Sequence, residues 1–183
     1  QDFKVGMQEV SLDIKIQAFR LMCKARALGA LYEREKTISS KYVHATSKGH
    51  EAIQLAFALN LQPQDFVSPY YRDDAMLLGL GFRPIDLIKQ LLAKQADIFS
   101  AGRHYYAHPS YKGDFHPNII FQSSATGMQA IPATGIAQGL QYLQNTKKKA
   151  CAKERSIVVC SMGDGALTNG EVSEALHMAS LKQ

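Results

Sequence analysis

The chain has 183 residues, 46% apolar and 20% charged, with a formal net charge of +5, which fits one soluble globular domain with a core. No apolar run reaches the length of a membrane span, and the segment from Gln1 to Val10 lacks the apolar centre of a signal peptide. Cys23, Cys151 and Cys160 are an odd count without CxxC spacing, which argues against a disulfide framework or a zinc site and for a reducing compartment such as the cytoplasm. Lys147, Lys148, Lys149, Lys153 and Arg155 read as a solvated loop or as a basic rim for an acidic partner or phosphorylated cofactor. They lack the aromatic interleaving of a nucleic-acid face.

From Ser11 to Glu35 apolar residues recur at helical spacing, with Ser11 as the cap. A loop is expected over Thr37–Lys48 and a second helix over Gly49–Leu59, before Pro63. Phe66-Val67-Ser68 reads as a short buried strand running into Pro69-Tyr70-Tyr71-Arg72, and Pro84 opens another helix that reaches Lys94. Gly102–Asn118 holds two glycines, two prolines, four aromatic residues and three histidines without periodicity. It is expected to be a long functional loop, ordered only once a cofactor and a partner surface are present, because its apolar residues lack regular spacing. Small residues between Met128 and Leu143 predict a helix packed closely on a neighbour. Ser156–Met162 is the clearest strand, without alternation, as in a parallel strand buried on both faces. Helices alternating with buried strands predict a doubly wound α/β domain, a parallel sheet with helices on both faces. Residues 1–48 form an N-terminal helical segment packing on the domain or its partner, and 49–183 the α/β domain.

The last strand runs into Gly163-Asp164-Gly165 and then a helix, the layout that holds a phosphate at a helix start. A dinucleotide fingerprint needs a third glycine where Thr168 stands. A P-loop needs Lys and a hydroxyl residue where Glu171 and Val172 stand. What remains is an acid between glycines at a strand's carboxyl end. A carboxylate repels a diphosphate unless a hard divalent cation sits between them. Asp164 is therefore either a magnesium ligand or the cap of the following helix.

Gly163–Glu171 resembles the opening of the thiamine diphosphate motif. Gly49-His50-Glu51-Ala52, Tyr71-Arg72-Asp73-Asp74-Ala75 and Ser123-Ser124-Ala125-Thr126-Gly127-Met128-Gln129 resemble segments of the alpha subunits of 2-oxoacid dehydrogenases, in the family's order. The resemblance implies the thiamine-diphosphate-binding fold, incomplete at its C-terminus. The implied activity is oxidative decarboxylation of pyruvate or a branched-chain 2-oxoacid, with acyl transfer to a lipoyl group in a multienzyme complex. The cofactors are thiamine diphosphate and Mg2+, with Asp164 on the metal and Tyr71, Arg72, Ser124, Thr126, Gly163, Asp164, Gly165 and Ala166 on the cofactor. His108 is the implied active-site histidine, suited by its ordinary titration range to proton transfer, with His104 and His116 as competitors in the same loop. His177 and Glu51 are expected to be structural.

The implied partners are a beta-type subunit or beta-like C-terminal half and a lipoyl-bearing acyltransferase, in an α2β2 heterotetramer or a homodimer of fused chains, with no nucleic acid and no membrane. Met128 stands where the family has Thr and Ala125 where it has Pro. A thioether is a poor ligand for a hard cation, so a potassium site is not expected. The motif's closing Asn pair is absent between Asp164 and Gln183 and is expected in a continuation of the chain, with the second metal ligand. The rival readings are an acetoin dehydrogenase or transketolase-like thiamine enzyme, and a non-catalytic scaffolding subunit that keeps the fold.

Overall fold

The structure, a computed structural model, describes residues 10–43, 45–121, 123–146 and 156–181. The basic cluster from Lys147 to Arg155, Cys151 and the segment before Val10 lie outside the described residues. Helix α1 spans Leu12–Arg34. The Ser11 hydroxyl accepts the Ile14 amide (3.4 Å), Asp13 lies in the first turn and Arg34 in the last, charges placed to complement the helix dipole. Its second half buries Ala25, Leu28 and Tyr32 against α3 (Glu51–Ala58) and α4 (Asp74–Gly79). The α3–α4 approach depends on Gly79, where a Cβ would lie 2.6 Å from the Ala58 Cβ.

Where a loop was expected over Thr37–Lys48, the chain first makes a one-turn helix, α2 (Lys36–Ser39). The Ser39 hydroxyl closes it by donating to the Tyr32 carbonyl (2.6 Å). Helix α4 also went unread, because the site motif overlaps its start and its six residues are too short to show a period. Helix α5 (Pro84–Leu91) begins at its proline, with Asp86 accepting from the Arg83 backbone and guanidinium.

The sheet has three parallel strands in the order β2-β1-β3: β1 (Phe66–Ser68), β2 (Asn118–Ile119) and β3 (Val158–Cys160). Asp65 stitches their starting edge. Its carboxylate accepts the Ile157 and Gln62 amides (2.9 and 2.7 Å) and its carbonyl accepts the Asn118 amide (2.8 Å). Helix α6 (Ala130–Asn145) connects β2 to β3, and α7 (Gly170–Leu181) packs on α6. Val67 in the central strand is fully buried. β3 is half-buried rather than buried on both faces, because it forms an edge of the described sheet. A second apolar cluster joins Ala130, Ala166, Val172 and Ala175, packed under Met162.

The Gly102–Asn118 segment has anchors within this chain. Tyr106, Ala107 and Tyr111 pack on the main core. Gln90 of α5 donates to the Tyr105 carbonyl (2.7 Å) and accepts the Ala107 amide (2.8 Å). The buried Asp97 carboxylate accepts from the amides of Phe99, Ser100 and Gly102 just ahead of it. The anchors are single residues seated by side-chain-to-backbone bonds.

Candidate functional site

The three segments after the strands' carboxyl ends meet in one cleft of ≈ 250 Å³, the position at which open parallel sheets place ligands. β1 delivers Tyr70, Tyr71 and Arg72; β2 leads to Ser123–Thr126; β3 leads through Gly163 to Asp164, Gly165 and Ala166, which form the start of a 3-10 turn over Asp164–Thr168. His108 joins them from the long loop. Every residue named for the site from the sequence (Tyr71, Arg72, His108, Ser124, Thr126, Gly163, Asp164, Gly165 and Ala166) lines this cleft.

The Tyr70–Arg72 turn is held from below. The Ser47 hydroxyl (2.9 Å) and the Gln54 amide (3.0 Å) both donate to the Arg72 carbonyl. The buried Asp73 accepts the Tyr70 amide (2.9 Å) and the Gln54 amide (3.1 Å). Arg72 is thus fixed at its backbone while its guanidinium lies 5.8 Å from the Tyr71 ring centre. Burial pushes the Tyr70 hydroxyl above its ordinary value. Arg72 opposes this, and Asp73, Tyr71 and Asp164 add to it, so charges from two walls of the cleft reach this phenol. Tyr70 was not singled out from the sequence. Its ring also packs 3.7 Å from where a Gly163 Cβ would be, which ties the two walls together.

The serine segment is pinned to the glycine loop. Asn169 donates its side-chain amide to the Thr126 carbonyl, and the Gln129 amide donates to the Ser161 carbonyl (3.0 Å). Ser123, Ser124, Thr126 and Asp164 remain open to solvent. The cleft thus presents a guanidinium, one carboxylate, several hydroxyls and glycine backbone. Its oxygen donors are hard, and among the described residues no group of three or more His, Cys, Asp or Glu could hold a metal by itself. That donor set fits magnesium, which takes one or two carboxylates and completes its shell with phosphate oxygens and water.

The three loop histidines separate. His108 is 7% exposed and lines the cleft, its Nδ1 2.7 Å from the Tyr106 carbonyl. A carbonyl only accepts, so in the neutral ring Nδ1 carries the proton and Nε2 keeps the lone pair. His104 packs on Phe121 and His116 on Phe82. Neither lines the cleft. His177 is exposed on α7. Glu51 is buried and structural: it bonds the Arg26 guanidinium and the Gly49 amide (both 2.8 Å). Burial pushes its carboxyl up, but those donors and its own amide hold it below the ordinary value.

Residues 17–183 match the family described as "Dehydrogenase E1 component". The chain is 27% identical over 96% of its length to the 2-oxoisovalerate dehydrogenase subunit alpha 2, mitochondrial, of Arabidopsis thaliana, covering 34% of that protein. It is 32% identical over 73% of its length to the 2-oxoisovalerate dehydrogenase subunit alpha of Bacillus subtilis (strain 168), covering 37% of it. It is 29% identical over 96% of its length to the pyruvate dehydrogenase E1 component subunit alpha of Bacillus cereus, covering 42% of it. The chain therefore spans between about a third and two fifths of the length of these relatives.

Proposed function

The chain belongs to the dehydrogenase E1 component family, and on that premise we propose that it is the diphosphate-binding part of a thiamine-diphosphate-dependent 2-oxoacid dehydrogenase. The substrate is pyruvate or a branched-chain 2-oxoacid, and the acyl unit goes to a lipoyl group on an acyltransferase partner. A beta-type subunit, or a beta-like half of a longer chain, covers the open side of the cleft, in an α2β2 or fused homodimeric assembly. The domain is the doubly wound thiamine-diphosphate fold, with the N-terminal helical segment packed on it.

One observation carries this reading: His108, Tyr71-Arg72, Ser124–Thr126 and Gly163–Ala166, far apart in sequence, converge on a single cleft at the carboxyl ends of the strands. Thiamine diphosphate, when bound, supplies the carbon nucleophile and the electron sink for loss of carbon dioxide. The chain's own residues bind, orient and move protons. Arg72 meets the diphosphate as a planar cation, and Asp164 holds the magnesium that lets a carboxylate share the site with phosphate. Ser124 and the Thr126 segment give hydrogen bonds along the cofactor. His108, with Nδ1 committed to Tyr106, offers Nε2 for proton transfer at the substrate.

The test is release of carbon dioxide from pyruvate and from branched-chain 2-oxoacids. The full chain is assayed with its partner subunit, thiamine diphosphate and magnesium, beside Arg72→Ala. Release that needs cofactor and falls in the variant supports the reading. Absence of cofactor binding by the assembled protein overturns it.

A further inference from the structure

A smaller cavity of ≈ 30 Å³, room for a water molecule or two, adjoins the cleft through their shared lining residues Tyr70 and Tyr71. Tyr32 of α1, Tyr71, Asp74, Gln90, Ala107 and Pro109 are among its lining residues. It shares Tyr71 with the functional cleft, and Ala107 and Pro109 flank His108 on either side in sequence. Asp73 also borders it, but Asp73 commits both oxygens to the Tyr70–Arg72 turn and to Gln54. Asp74, the first residue of α4, is the carboxyl left to face the cavity.

We propose that Asp74 is a positioning residue for His108: uncharged, it keeps the Ala107–Pro109 wall seated, and its ionisation loosens that wall. This rests on the functional reading above, in which His108 serves the cleft. The wall is poised to move. Ala107 sits at φ 56, a left-handed conformation that an alanine adopts only under constraint. Its amide is held by the Gln90 side chain, which also holds the Tyr105 carbonyl.

A charge facing so small a cavity draws in water, and an irregular wall yields before the helices do. Burial first, and then the charge of Asp73, push the Asp74 carboxyl up to about 7. The other titratable groups lining the cavity are Asp73, which burial pushes up to about 6 and which is unchanged in every arm below, and the phenols of Tyr32, Tyr42, Tyr70 and Tyr71. Burial and Asp74 push the Tyr32 phenol upward, so it stays neutral throughout this range. His44, between the lining residues Val43 and Ala45, lies outside the described residues and is unchanged in every arm below.

The experiment is trypsin cleavage after Arg103 in the full chain, normalised at each pH to an unfolded peptide of the same sequence. Wild type, Asp74→Asn and Asp74→Ala are compared. Wild-type cleavage should accelerate roughly ten-fold between about pH 6 and pH 8, following the ionised fraction of Asp74. Asp74→Asn, the same shape without the charge, should stay slow throughout, and Asp74→Ala should be fast throughout. A pH response retained in Asp74→Asn overturns the proposal even if Asp74→Ala fails to fold. The assay uses neither cofactor nor turnover, so its failure leaves the decarboxylase reading to its own test.

Discussion

Asn169 reaches across from the glycine loop and donates its side-chain amide to the carbonyl of Thr126. Next to that bond, Gly127 lies against Val172, fully buried at the start of α7. The serine segment that leads to α6 and the loop that leads to α7 are therefore one unit, locked at adjoining residues. The geometry of the cleft on that side depends on this lock rather than on the sheet alone.

Gly127 makes the lock possible. Its φ is +84, and a Cβ there would lie 2.7 Å from Val172 Cγ2. Gly127→Ala adds a left-handed backbone penalty to an overpacked contact, together about 2–5 kcal/mol. Chemical denaturation should show a loss in that range, and cofactor affinity should fall with it because Ser124 and Thr126 shift. A variant as stable as wild type would mean that the segment relaxes freely.

Asp164→Ala should leave the fold intact, since the side chain is exposed and the buried residue of this turn is Ala166. As a direct metal ligand, Asp164 should cost more on removal than the roughly 10–100-fold that losing a supporting partner costs. Calorimetric titration of the assembled protein with thiamine diphosphate and magnesium measures this. Unchanged affinity would reduce Asp164 to a helix-start residue.

The candidate site was legible mainly through resemblance, from four short segments in one family's order. Only the acid between glycines at a strand's end carries a physical argument by itself; Tyr71-Arg72 and the paired serines stood out because they follow the order of segments in the 2-oxoacid dehydrogenase alpha subunits that the sequence resembles. What holds those turns was not legible. Ser47 and Gln54 support the Arg72 carbonyl through partners 25 and 18 residues away, and no local pattern announces such a pairing. Tyr70 was missed because one tyrosine beside another carries no signal of which faces the cleft. Helix α4 and the half-buried state of β3 depend on tertiary neighbours. The loop anchors at Gln90, near the end of α5, and Asp97, in the turns after it, read simply as polar residues.

Stability should depend on pH in an uncommon direction. Burial pushes Asp73 up to about 6 and, with Asp73's charge, Asp74 up to about 7, from 3.8. A carboxyl raised in the folded state keeps a proton that the unfolded chain has already released. Between about pH 4 and pH 7 the folded state therefore binds more protons, and stability falls as pH rises. Thermal melts from about pH 5 to pH 8 should show a declining Tm, with a shallower decline in Asp74→Asn. Equal slopes in the two proteins would place the effect elsewhere.

The last prediction concerns His108. Its burial and its Nδ1 bond to Tyr106 fix the ring and its tautomer, while its loop neighbours belong to a wall that α5 holds through Gln90. If Nε2 moves protons at the substrate, His108→Asn should lower kcat by about 10²–10⁴-fold, the usual contribution of a positioned acid–base group. Cofactor affinity should not change, because the diphosphate contacts come from Arg72, Asp164 and the serine segment. Gln90→Leu should act differently. It leaves the imidazole in place chemically but removes the partner of the Ala107 amide and the Tyr105 carbonyl, both only partly buried, so each costs at most about 1–3 kcal/mol. The loop should then open more often, raising cleavage after Arg103 and lowering kcat less than His108→Asn does. Steady-state kinetics and calorimetry on both variants separate these outcomes. If His108→Asn keeps wild-type kcat, the histidine's place in the cleft is structural, and proton transfer must be assigned to a group on the partner.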